Sequence, residues 1–287
     1  VPNRFHTVAG LPLLEATGFK RVVLNWVEKL TYHFATKVYP NSFEMEKIII
    51  KEKFCTAEKL HVIGNGSSNG IDVNYFNKDE VAIADQQTLK TQLGIQENDF
   101  VFIFVGRLVK DKGINELITA FKNLNLSLRN SAMKQSLKLL LVGPLEQELD
   151  PLLPETLATI QSHPQIITVG FQEDVRLYFS ISDCLVFPSY REGFPNAVLQ
   201  AGAMTLPSIV TDINGCNEII SDGVNGLIIP VKNEKDLEVA MRKMIDEPEN
   251  YKKMKNLSRP KVVERYSQQK IWEALLKEYQ EATEKIN

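Results

Sequence analysis

Arg107 and Lys112 stand close together in VGRLVKDKGINEL, directly behind the apolar run FVFIFVG. Gly106 lets the main chain turn at the end of that run, so both cations can point at one volume above it. Two positive charges offset about two negative ones, the load of a nucleotide diphosphate, and an arginine grips phosphate oxygens with a two-pronged fork. Taken alone, the stretch also fits a solvated loop with ordinary surface charges. A second stretch, YREGFPNAVLQAGA from Tyr190 to Ala203, sets Arg191 and Glu192 before a glycine and then turns small and apolar. Pro195 suits the first turn of a helix, because its ring presets the backbone and an N–H there has no helical partner anyway. The amides of Asn196, Ala197 and Val198 then head the helix, where its dipole favours a phosphate. Glu192 is placed to reach past the phosphate to hydroxyls of whatever it carries, and Gln200 to meet a ribose diol. Ala201, Gly202 and Ala203 let the helix lie close to a sheet. The plain alternative is that Arg191 and Glu192 pair with each other at the surface.

These loops need a frame. FVFIFVG (Phe100 to Gly106), LKLLLVG (Leu137 to Gly143), QIITVG (Gln165 to Gly170), DCLVFPS (Asp183 to Ser189) and PSIVT (Pro207 to Thr211) are short apolar runs, each followed by a candidate helix. They read as strands buried on both faces of a doubly wound parallel α/β sheet, whose ligands bind at the carboxyl ends of the strands. Before Phe76 the pattern is thinner: a strand at Asn3 to Val8, an amphipathic helix near Glu15 to Ala35, a shorter strand and helix through Ile50, and a strand at Lys59 to Ile63. GNGSSNGID (Gly64 to Asp72) is rich in turn residues and reads as a hinge. Residues 1–72 are therefore expected to be a partial domain with its hinge, and 73–287 a larger domain. An amphipathic helix from Gln268 to Ile286 is expected to pack back on the first domain. Val1 falls straight into a strand-like segment, which points to a longer polypeptide.

The chain has 287 residues, 44% of them hydrophobic, enough for substantial cores. A formal net charge of -3 argues against a dedicated nucleic-acid binder. Cys55, Cys184 and Cys216 are odd in number and match no metal spacing, so a reducing, cytoplasmic setting is expected. No apolar run approaches the roughly 20 residues that span a bilayer, and no signal peptide is visible. In FKRVVLNWVEKLTYHF, Val22, Val23, Trp26 and Leu30 share a helical spacing with Lys20, Arg21 and Lys29 nearby. That stripe suits a core, and with its cations it also suits peripheral contact with an anionic membrane. G-x-x-x-x-G-K-[ST], H-E-x-x-H and D-x-D do not occur, so neither a metal nor a bound cofactor is expected.

G-R-L-V-K-D-K-G followed by E-G-F-P-N-A-V-L-Q-A-G-A, with DINGCNEII and NGLI later (Asp212 to Ile228), resembles glycosyltransferase family 4, retaining enzymes of the GT-B fold. The likeness covers nearly the whole sequence and is greatest to enzymes that build bacterial capsular, lipopolysaccharide or exopolysaccharide chains. It implies transfer of a sugar from a nucleotide-diphosphate donor, uridine before guanosine, to a glycan or lipid-linked acceptor, at the inner face of the cytoplasmic membrane. By the resemblance Arg107 and Lys112 hold the diphosphate, Glu192 holds a donor hydroxyl, and the amides from Phe194 to Val198 cover sugar and phosphate. Phe171 and Gln172 would line the base pocket, with Gly106, Gly143, Gly193 and Pro195 completing the donor-binding set. His6, expected just after the first strand, resembles a histidine that reaches across the cleft to the donor sugar. The family motif is E-x₇-E, and here Gln200 replaces the second acid. An amide offers one acceptor where a carboxylate offers two charged ones. Two rivals remain at this stage: a module that holds a nucleotide sugar without turnover, and a GT-B sugar-nucleotide epimerase.

Overall fold

The computed structural model describes residues 2–11, 13, 16–129, 136–148 and 150–284. Strands β1 (Phe5–Val8) and β2 (Lys37–Pro40) pair in parallel across helix α1 (Gly18–Phe34), and α2 (Phe43–Lys51) follows. Beyond the hinge come α3 (Ile83–Gln92), β3 (Asp99–Val105), α4 (Ile114–Arg129), β4 (Ser136–Val142), α5 (Pro154–Ser162), β5 (Ile166–Gly170) and α6 (Arg176–Ser180). The alternation continues with β6 (Cys184–Phe187), α7 (Asn196–Ala203), β7 (Ser208–Thr211), α8 (Cys216–Ile219) and β8 (Gly226–Ile229). Helices α9 (Glu234–Asp246), α10 (Pro248–Tyr266) and α11 (Gln268–Glu284) complete the order.

The larger sheet runs β5-β4-β3-β6-β7-β8 with every pair parallel. Counted from β3, this is the 3-2-1-4-5-6 order of a doubly wound sheet, in which the winding reverses between the first strand and the fourth. A crevice therefore opens between the carboxyl ends of β3 and β6, and the loops leaving those two strands carry Arg107, Lys112 and Glu192. Helices cover both faces, so Phe102, Ile103, Phe104, Leu185 and Val186 are fully buried, as their unbroken apolar runs require.

Some expected elements move. Lys59 to Ile63 is no strand: a 3₁₀ turn at Ala57–Lys59 precedes a single parallel bridge from Leu60 to Val38. Lys59 turns back instead, donating to the carbonyls of Tyr32, His33 and Ala35 at the end of α1. Helix α1 starts at Gly18 after Thr17, and the expected start at Glu15 lies outside the described residues. The NGLI segment forms an extra edge strand, β8. Pro195 stands one place outside α7, at its N-cap. Gly202 brings α7 against α10, where an added Cβ would lie 2.6 Å from Val262, so the small residues serve helix–helix packing as well as the sheet.

The stripe of α1 is not core. Tyr32 is its buried residue and Arg21 pairs with Glu52 at 2.8 Å, while Phe19, Val22, Val23, Trp26, Val27, Leu30 and Phe34 face outward. No helix among the described residues is long and apolar enough to cross a membrane. The chain crosses between its two parts twice, side by side: Ile71 donates to the Tyr266 carbonyl and Gln268 donates to that of Ile71. From there α11 lies along the β1–β2 sheet. Ile271 packs with Tyr39 and Ile63, Tyr279 stacks on Phe5, and Glu278 takes Lys37 at 2.6 Å and His61 at 3.3 Å.

Candidate active site

Loop and strand order bring the two remote segments together. The Tyr190 amide donates to the Asp111 carbonyl at 2.8 Å, and Arg191 pairs with Asp111 at 2.9 Å. Lys112, in a 3₁₀ turn at Lys110–Lys112, meets Glu192 at 2.6 Å. Arg191 and Glu192 thus do not pair with each other: each crosses the switch-point crevice to the loop behind β3. The side chains of Lys112 and Glu192 are 16% and 15% exposed, so this ion pair is shielded from solvent far better than a surface one. An ammonium has three donors, and Lys112 can hold Glu192 and still present hydrogen to a phosphate oxygen.

Arg107 is directed elsewhere, toward the loop behind β4, on the side of β3 opposite β6. It pairs with Glu146, behind β4, at 3.1 Å, with 47% of its side chain exposed. Each of the two expected phosphate cations thus faces an acid of its own, Arg107 that of Glu146 and Lys112 that of Glu192. Gly106 and Gly143 abut at the ends of β3 and β4, where a Cβ on Gly143 would fall 1.9 Å from the Gly106 carbonyl oxygen. Their contribution is this close passage of two loops.

The head of α7 offers fewer amides than the sequence implies. Val198 already donates to the Pro195 carbonyl at 3.2 Å, which leaves Asn196 and Ala197 as the first two N–H groups of the helix. Gln200 lies one turn in and is half-buried. At the outer side of the sheet Phe171 is 74% exposed, and Gln172 folds its amide back onto the Val169 carbonyl.

His6 departs from expectation. It lies inside β1, paired with Val38, and its ring meets Tyr32 of α1 edge-on at 5.4 Å. Burial lowers its pKa, favouring the neutral imidazole. The residue that meets the Glu192 turn from this side is Ala9: a Cβ on Gly193 would lie 1.8 Å from the Ala9 carbonyl oxygen. Strand alternation explains the difference, since His6 and Val8 share the α1 face and the chain reaches the seam only after β1 ends.

Sequence reasoning also missed the residues that hold this seam. Asn41 donates to the Ala9 carbonyl at 3.3 Å, and Asn214 donates to the carbonyls of Glu192 and Gly193. Neutral amides leave no charge or motif signal, and only the folded backbone shows what they serve. A cavity of about 30 Å³ nearby is lined by Thr7, Asn41, Ser67 and Ile271. It has room for about one water and not for a sugar ring. Among the described residues no cluster of His, Cys, Asp or Glu has the makings of a metal site.

A parallel sheet with its crevice between β3 and β6, joined to a second α/β part across a glycine-tight seam, defines the class as a GT-B protein. Solved structures bear out the fold: Anabaena HepE, in complex with UDP and glucose, superposes with a TM-score of 0.81 at 19% identity, covering 97% of this chain and 72% of that one. The model of the glycosyl transferases group 1 family matches residues 85–260, and the chain belongs to that family. The Staphylococcus aureus capsular polysaccharide biosynthesis glycosyltransferase CapM is 30% identical over 274 residues, 96% of this chain and 69% of that protein. An Escherichia coli UDP-Gal:alpha-D-GlcNAc-diphosphoundecaprenol alpha-1,3-galactosyltransferase is 30% identical over 235 residues, 81% of this chain and 57% of its own length. The chain thus spans from somewhat over half to about two-thirds of these relatives.

Proposed function

We propose that the protein transfers a sugar from a uridine-diphosphate donor to a glycan or lipid-linked acceptor in the synthesis of bacterial surface polysaccharide, with retention at the anomeric carbon. The observation that carries this reading is the shielded Lys112–Glu192 pair at the switch-point crevice, beside the head of α7. Lys112 and Arg107, with the amides of Asn196 and Ala197, take up the negative charge that grows on the departing diphosphate, an interaction stronger in the transition state than in the ground state. Glu192 accepts a hydrogen bond from a hydroxyl of the donor sugar, and Gln200 meets the ribose. These groups meet the diphosphate charge without a divalent ion. The named substrates of the Escherichia coli relative support the uridine donor and the lipid-linked acceptor. A lipid-linked acceptor places the protein at a membrane surface, for which the outward stripe of α1, flanked by Lys20 and Lys29, is suited.

The test is incubation of the protein with a panel of nucleotide sugars and a diphosphoundecaprenol-linked sugar. Release of UDP that depends on the acceptor, with the sugar recovered on the lipid, is the expected result. Binding without release, or conversion of the free donor to its epimer, overturns the proposal.

A further inference from the structure

We propose that Asn214, with Glu218, is a positioning residue that makes the geometry of the Glu192 turn depend on docking of the amino-terminal part. Asn214 has its two amide hydrogens on the turn, at the Glu192 carbonyl (3.2 Å) and the Gly193 carbonyl (2.6 Å). Its oxygen accepts from Ser42 of the amino-terminal part at 2.5 Å. Ser42 in turn caps α2, accepting from the Met45 amide at 3.1 Å. Beside it the Glu218 carboxylate bridges to the same helix end, accepting from the amides of Phe43 (3.0 Å) and Glu44 (3.1 Å). A carboxylate there satisfies two orphan amides and meets the positive end of the helix dipole.

The segment between these two residues is wedged tight. A Cβ on Gly215 would lie 2.6 Å from the Gly193 carbonyl oxygen and 2.9 Å from both Phe194 Cα and Pro195 Cδ. Gly215 also sits at φ 74°, in the left-handed region. Residues 214–218 therefore have no slack between α2 and the turn. A loop serving only its own domain would find its partners there. Instead the Asn214 oxygen and both Glu218 oxygens go to residues some 170 positions away in the chain. A displacement of α2 reaches the backbone of Glu192 through two hydrogen bonds and two side chains, those of Ser42 and Asn214.

This inference rests on the reading that Glu192 holds the donor sugar, and its test separates the two. UDP and a UDP-sugar are titrated calorimetrically into the parent chain and into Asn214→Ala, Ser42→Ala, Ser42→Asp and the Asn214→Ala/Ser42→Ala pair. Ser42→Asp keeps an acceptor for the α2 cap and removes the hydrogen given to Asn214. Asn214→Ala is expected to leave UDP within about twofold of the parent and to weaken the UDP-sugar about fivefold, the value of roughly one hydrogen bond. Both Ser42 variants are expected to weaken the UDP-sugar alone, and the pair to be no worse than Asn214→Ala. Equal weakening of both ligands by Asn214→Ala, or parent-like UDP-sugar binding in both Ser42 variants, overturns the proposal. A parent that binds neither ligand removes the functional reading itself. Amide exchange then still decides whether the linkage exists: Ser42→Asp must speed exchange at Glu192, Gly193 and Phe194, and unchanged exchange refutes it.

Discussion

Replacing Glu146 by glutamine tests whether Arg107 belongs to the diphosphate site. In the structure the Arg107 guanidinium faces Glu146 at 3.1 Å, with side chains 47% and 30% exposed. Two unit charges at that distance attract by about 1.3 kcal/mol in bulk water. Entropy and salt reduce such exposed pairs to roughly 0.2–1 kcal/mol in practice. A diphosphate that engages Arg107 has to compete with this acid, and the Glu146 charge repels it besides. Glu146→Gln removes the competing charge and keeps the size, so UDP should bind about 1.4- to 5-fold more tightly, the same energy at about 1.4 kcal/mol per tenfold. Isothermal titration at low ionic strength shows the full gain. Added salt narrows the difference between variant and parent, because the pair lies within reach of screening ions. Unchanged or weaker UDP binding by Glu146→Gln would refute the placement of Arg107 at the diphosphate.

Gly193→Ala forces a Cβ into the Ala9 carbonyl oxygen, 1.8 Å away, and can be accommodated only by parting the seam. It should cost about 1–3 kcal/mol, and amide exchange at Phe43 and Glu44 should accelerate; parent-like exchange in a destabilised variant contradicts the seam's geometry. Glu278 ties α11 to the β1–β2 sheet: burial pushes its carboxyl up, yet Lys37, His61 and Tyr39 together hold it below the ordinary 4.5. The folded carboxyl then binds its proton less tightly than the unfolded one. Its contribution is complete above pH 4.5 and is lost as pH falls through the lower folded value. Fluorescence of Trp272, which donates to Asn69 from α11, should report that loosening, and Glu278→Gln should abolish the pH step.

The larger sheet was legible because strands buried on both faces need unbroken apolar runs, and runs such as FVFIFVG and LKLLLVG leave little else to form. Their carboxyl ends, and so the neighbourhood of Lys112 and Glu192, followed from the βαβ rhythm. What each cation touches did not follow. The partners Glu146 and Asp111 lie in other loops, and side-chain pairing across a crevice has no periodic trace in sequence. His6 was misplaced because a four-residue strand gives too short an alternation to fix which face a side chain takes, although the strand's end at Val8 was legible. Lys59 to Ile63 reads as a strand by composition, but capping α1 with the Lys59 ammonium bends it away after one bridge. The seam through Asn41, Asn214 and Glu218 stayed hidden because its bonds run largely to main-chain groups, which every residue possesses.

Binding of UDP in the presence of EDTA tests the central claim most directly. The parent should bind with chelator present, and Lys112→Ala and Arg107→Ala should each weaken binding about 10- to 100-fold, the worth of a charged hydrogen bond. Binding that appears only when a divalent cation is restored, or a double variant that binds UDP as tightly as the parent, would contradict it.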